Sequence, residues 1–93
     1  MITEVRLSDD AVKQLRKLPP QIRRKLAAWA LLVETVGLDA TRKIPGYHDE
    51  SLHGTRTGQR SIRLNRGYRA IYRIMGNVIQ FVQIEEVGNH DIY

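Results

Sequence analysis

Between Ser51 and Met75 the sequence places Arg56, Arg60, Arg63, Arg66, Arg69 and Arg73, and the same stretch has no Asp, Glu or Lys. Arginine offers a planar fork of donors that meets two phosphate oxygens together, which the point charge of lysine does not. Such a segment suits a phosphodiester ligand, or else it is a solvated strand face whose repulsion water relieves. The loop before it, Tyr47–His53, carries His48, Asp49, Glu50 and His53. Glu50, His48 and His53 each have the chemistry of a general base, and an ordinary polar loop is the competing reading. His48 and His53 stand five apart and the chain has no cysteine. That is not a zinc-ligand pattern, so no metal and no cofactor is expected. The run Gly54-Thr55-Arg56-Thr57-Gly58-Gln59-Arg60 lacks the Gly-Lys-Ser/Thr ending of a P-loop and reads as the basic edge of the same site. Near the C-terminal end stand His90 and Tyr93. Histidine titrates near neutrality and can pass a proton in phosphodiester chemistry, while tyrosine can stack on a base. A frayed tail is the alternative there.

These side chains need a scaffold. Ile2–Leu7 alternate loosely and read as a first strand. Ser8 is a good N-cap, and Asp9 and Asp10 suit the positive end of a helix carrying Ala11, Val12, Leu15 and Leu18. Pro19-Pro20 stops it, and Pro20 sits in the first turn of a second helix. Its apolar stripe is Ile22, Leu26, Trp29, Ala30, Val33 and Val36, with Gly37 as the cap. Residues Asp39–Gly58 read as irregular. From Gln59 the period becomes two. Ile62 and Leu64 fall on one face and Arg63 on the other. After the turn Asn65-Arg66-Gly67, Tyr68, Ala70, Tyr72 and Ile74 oppose Arg69, Ile71 and Arg73. Gly76-Asn77 signals a two-residue hairpin leading to a last strand Val78–Val87. The expected architecture is α+β, in the order β-α-α-β-β-β. A helical hairpin packs on one face of a small antiparallel sheet, and Arg63 and Arg69 emerge on the open face.

Composition narrows the classes. With 93 residues, one domain over 1–93 is expected. The net charge of +5 favours polyanionic partners. No apolar run approaches the ~20 residues of a membrane span, and the first residues lack the pattern of a secretory signal. A chain without cysteine suits a reducing compartment, so a cytoplasmic location is expected.

Ser51-Leu52-His53-Gly54, Gln59-Arg60-Ser61-Ile62-Arg63-Leu64, Tyr68-Arg69-Ala70-Ile71-Tyr72 and Glu86-Val87-Gly88-Asn89-His90-Asp91-Ile92-Tyr93 occur in that order. The ordered set resembles the RelE/ParE toxin superfamily, most nearly its HigB-like and YoeB-like branches. The resemblance covers essentially the whole chain. It implies a microbial-RNase-like fold and the toxin of a type II toxin–antitoxin pair, a metal-independent endoribonuclease that cuts mRNA in the ribosomal decoding site. By position it implies catalytic roles for Glu50, Arg63, Arg69, His90 and Tyr93, with His48 and His53 standing where RelE-type loops carry lysines. His53 is counted with the catalytic set, and His48, Arg56, Arg60, Arg66 and Arg73, read from the basic segment itself, are expected to contact RNA. In YoeB-like tails the His and Tyr are adjacent, whereas here Asp91-Ile92 separate them. The implied partners are a cognate antitoxin, the ribosome and mRNA, with DNA met only through an antitoxin complex. Two other functions fit the same chain: a ParE-like gyrase inhibitor without nuclease chemistry, and a non-catalytic RNA- or ribosome-binding module.

Overall fold

A computed structural model describes residues 1–89. The elements are β1 (Val5–Leu7), α1 (Asp9–Leu15), α2 (Pro20–Val36), α3 (Leu38–Arg42), β2 (Glu50–Ser51), β3 (Arg60–Arg63), β4 (Tyr68–Met75) and β5 (Phe81–Asn89). Short 3-10 turns occupy Pro45–Tyr47 and Gly54–Arg56. The five strands form one sheet in the order β1-β5-β4-β3-β2. The expected α+β architecture is present, with α1 and α2 on one face of the sheet. β2 to β5 pair antiparallel, while β1 joins β5 in parallel. The helices carry the chain between β1 and the rest of the sheet, the kind of long connection a parallel pair requires.

The local chemistry explains the boundaries. The Ala11 N–H donates to Ser8 Oγ at 3.1 Å, which caps α1. Ser8 Oγ in turn donates to the Glu85 carbonyl at 2.9 Å, so the cap also fixes the helix to β5. Pro20 begins α2, whose buried residues are Ile22, Leu26, Trp29 and Val33. These meet Ile62, Leu64, Ala70, Tyr72, Val82, Ile84 and Val87 from the sheet. The Trp29 and Tyr72 rings lie 5.2 Å apart at the centre. Gly37 ends α2 at φ 89 and ψ 160, a conformation that favours glycine. A Cβ there would also stand 2.8 Å from Met1 Cγ.

Three segments differ from the sequence reading. The first strand is shorter, beginning at Val5, because Ile2 instead accepts the Leu38 N–H at 2.9 Å. The stretch expected to be irregular contains α3, β2 and both 3-10 turns. The last strand starts at Phe81, opposite Met75, so Gly76–Gln80 form a five-residue turn rather than a two-residue one. Val78 and Ile79 are 97% and 77% exposed at its tip. Apolar residues in a β-rich stretch suggested strand there, but the turn folds back on itself. Gly76 sits at φ 92, so close to the Ile79 carbonyl that a Cβ would be 2.3 Å from its oxygen.

One irregularity shapes the site. The register of β4 and β5 shifts between Ile71 and Tyr72, which face Glu86 and Ile84. Glu85 is the extra residue of a β-bulge. On the other edge of β5, beyond the end of β1, α1 satisfies the backbone. Ser8 takes the Glu85 carbonyl, and Gln14 Oε1 accepts the Val87 N–H at 2.7 Å. No helix among the described residues is long and apolar enough to cross a membrane.

Candidate functional site

Strand alternation places Arg63 and Arg69 on the face away from the helices, as expected, and the β3–β4 register sets them directly opposite each other. Two facing guanidiniums repel, so the arrangement needs compensating groups. The Arg69 guanidinium lies 3.8 Å from Glu50 Oε1 and donates to Ser61 Oγ at 3.3 Å. Arg63 Nη1 lies 3.4 Å from His48 Nε2. His48 holds a left-handed backbone at φ 46. That reversal lets Tyr47 and the Asp49 side chain stay buried while His48 turns outward. Glu50, Ser61, Ile71 and Glu86 form one row across β2, β3, β4 and β5.

The bulge adds a second layer to this face. Without it, Glu85 and Glu86 would point to opposite sides of the sheet. With it, both carboxylates meet open-face arginines. Arg56 donates to Glu86 at 2.5 Å, and Arg73 Nε donates to Glu85 at 3.3 Å. Gln59 links the two pairs, accepting from Arg56 at 3.0 Å and donating to Glu85 at 2.9 Å. The bond from Arg56 to Glu86 favours the charged form of the guanidinium and raises the Arg56 pKa. Arg73 passes so close beneath Gly58 that a Cβ there would be 2.6 Å from its Nη1. The network fastens the Gly54–Gln59 loop over the sheet. Ile71, 0% exposed yet outside the helix-side core, lies under this polar layer.

The sequence-expected residues thus divide into groups. Arg63, Arg69, Glu50 and His48 come together. His53 lines a groove of about 440 Å³ beside them with Glu50, Ser51, Leu52, Thr55 and Arg56. Arg56 and Arg73 reach the open face but are engaged by Glu86 and Glu85. Arg66 is exposed in the β3–β4 turn, where Asn65 Oδ1 accepts the Gly67 and Tyr68 N–H groups at 2.8 and 3.0 Å. Arg60 does not belong with the others. It shares the helix face with Ile62 and is bound to Asp49 at 2.6 Å, and the Asp49 side chain is 0% exposed. Tyr72 donates its hydroxyl to the same carboxylate at 2.5 Å. Burial, then that bond to Asp49, raises the Tyr72 pKa far above the ordinary tyrosine value. For Arg60, burial opposes the charge, but the Asp49 bond and charge outweigh it and the pKa rises. His90 and Tyr93 lie outside the described residues. No cluster of potential metal ligands occurs among the described residues.

Sequence reasoning gave no role of their own to Asp49, Gln59, Ser61, Glu85 and Glu86. One signal was available for the last two. Consecutive acidic residues inside an otherwise alternating strand are what a bulge produces.

No family profile matches the chain, and no curated protein sequence matches it. Solved structures do. A chain of the RelBE2 toxin–antitoxin complex of Mycobacterium tuberculosis is 28% identical, with a TM-score of 0.69 over 97% of this chain and 100% of that one. YafQ of Escherichia coli is 19% identical with a TM-score of 0.72, covering 94% of this chain and 92% of its own. The archaeal RelE–RelB complex of Pyrococcus horikoshii contributes a chain 20% identical, covered fully on both sides, with a TM-score of 0.67. A few helices packed on a five-stranded sheet, in this order and at this similarity, give the chain the α+β fold of the RelE-like toxins.

Proposed function

We propose that this chain is the toxin of a type II toxin–antitoxin pair, a metal-independent, ribosome-dependent endoribonuclease of the HigB-like or YoeB-like kind, with 1–93 as one domain. The observation that carries the reading is the facing pair Arg63 and Arg69 on an open sheet, with Glu50 3.8 Å from Arg69. A phosphodiester laid over the pair would have its non-bridging oxygens matched by two guanidiniums, beside a carboxylate able to take a proton.

Glu50, or His48 or His53 in its stead, removes the proton of the RNA 2′-hydroxyl. The freed oxygen attacks the adjacent phosphorus and the bond to the 5′-oxygen breaks. Arg63 and Arg69 stabilise the charge that develops on the phosphoryl oxygens. His90 returns a proton to the leaving oxygen and Tyr93 assists. The products are a 2′,3′-cyclic phosphate and a 5′-hydroxyl. DNA lacks the nucleophile and is inert. The basic helical residues Arg16, Lys17, Arg23 and Arg24, all exposed, dock on ribosomal RNA with a steep salt dependence. The cognate antitoxin neutralises the toxin by covering this face or the helices, and DNA is met only through that complex. The setting is cytoplasmic.

The test is mRNA cleavage by the purified chain, with and without ribosomes whose decoding site is empty, mapping the cut ends. Cuts within the exposed codon that require ribosomes are expected. No cuts under either condition would overturn the nuclease reading and make gyrase supercoiling the next assay.

A further inference from the structure

We propose that Arg60 is a positioning residue that holds Glu50 against the phosphate-binding pair from the opposite face of the sheet. The inference rests on Glu50 acting as the base in the proposed reaction. β2 is only two residues long and lies at the sheet's edge, next to β3 alone. So short an edge strand holds a side chain poorly by its ladder alone. Arg60 supplies what the ladder lacks. Its Nε donates to Asp49 Oδ1 at 2.6 Å and its Nη1 donates to Ser51 Oγ at 2.6 Å. One guanidinium thereby grips the residues immediately before and after Glu50.

Alternation does the rest. With positions 49 and 51 drawn to the helix side, position 50 must point to the open face. There it stands opposite Ser61 and within 3.8 Å of Arg69. The grip is itself anchored. Tyr72, fully buried against Trp29, donates to the second Asp49 oxygen at 2.5 Å. Arg60 faces Tyr72 across β3 and β4, so the carboxylate sits between them. A planar fork can serve two acceptors in fixed directions, and an ammonium cannot. The arginine that composition assigns to RNA contact instead works behind the site.

The variants Arg60→Gln, Arg60→Lys and Ser51→Ala separate the possibilities in multiple-turnover cleavage on programmed ribosomes at varied ribosome concentration. A misplaced base lowers kcat, and an error of about 1 Å can cost about 100-fold. Arg60→Gln is expected to lose roughly 10- to 100-fold in kcat with KM within about 3-fold. Arg60→Lys, reaching one partner but not both, should recover part of the loss. Ser51→Ala removes one exposed grip without touching the core and should cost roughly 3- to 10-fold, about one hydrogen bond. A raised KM with kcat preserved, and a salt slope smaller by about 1, would instead make Arg60 an RNA contact and overturn the proposal. Amide hydrogen exchange gives a readout independent of cleavage. Loss of protection at Glu50 and Leu52 in Arg60→Gln, with β4 and β5 unchanged, is expected. If the wild-type chain cuts nothing, the nuclease reading fails while this exchange measurement still decides the grip. Unchanged protection at those two amides would overturn it.

Discussion

Tyr72→Phe removes one oxygen from the centre of the molecule and should be felt in two ways. The ring keeps its shape and its contact with Trp29, 5.2 Å away, so no large cavity opens. What is lost is a 2.5 Å hydrogen bond to the Asp49 carboxylate, whose side chain is 0% exposed. A bond to a charged group contributes about 1.5–3 kcal/mol. For a domain of this size that corresponds to a fall in Tm of roughly 6–20 °C at neutral pH. The second effect is on pH dependence. Burial and the Asp49 bond raise the Tyr72 pKa above its ordinary value of 10.0. Above pH 10 the unfolded chain releases this proton and the folded chain keeps it. The folded state then binds more protons, so wild-type stability falls as pH rises. One such group gives a slope of about 1.4 kcal/mol per pH unit. The variant lacks that slope, while Tyr47, also raised by burial, contributes equally to both chains. The stability gap should therefore close between roughly pH 11 and 12. Urea unfolding at pH 7, 9, 10.5 and 11.5 reads this directly. Two curves that stay parallel above pH 10, or a neutral-pH loss below about 0.5 kcal/mol, would refute a buried hydroxyl–carboxylate bond at the heart of the sheet.

Other outcomes follow from the open face. Arg63→Ala and Arg69→Ala are each expected to lower the cleavage rate constant about 100- to 1,000-fold in single-turnover experiments, as removal of a transition-state donor does. Because the two guanidiniums face each other across β3 and β4, their effects should be strongly non-additive in the double variant. Arg56 and Glu86, with side chains 25% and 30% exposed, should couple by about 1 kcal/mol in a double-mutant cycle read by thermal unfolding. A coupling indistinguishable from zero would mean that the Gly54–Gln59 loop is not held by this pair.

Much was legible in the sequence because it depends on period and on local chemistry. The alternation of Ile62 and Leu64 with Arg63, and of Tyr68, Ala70 and Tyr72 with Arg69, set which residues face the helices. That alone put two arginines on the open face, since a side chain in a strand has only two directions to choose between. Ser8, Pro20 and Gly37 marked the helix limits through capping and backbone preference. The α+β architecture followed from these.

Which charges meet across the sheet was decided by tertiary structure alone. A run of arginines without acidic neighbours in sequence gains them in space, because β5 brings Glu85 and Glu86 beside Arg73 and Arg56. Both carboxylates reach that face through a one-residue bulge, which α1 helps to satisfy with Ser8 and Gln14. Arg60 shows the same limit from the other side. Its spacing from Arg63 already implied the opposite face, but charge counting grouped it with the rest. A partner for it, Asp49, lies in a loop whose path depends on a left-handed residue and a buried tyrosine. The sequence determines what each residue can do and which side of a strand it takes. Pairings between distant segments depend on register, bulges and burial, and only the folded chain fixes those.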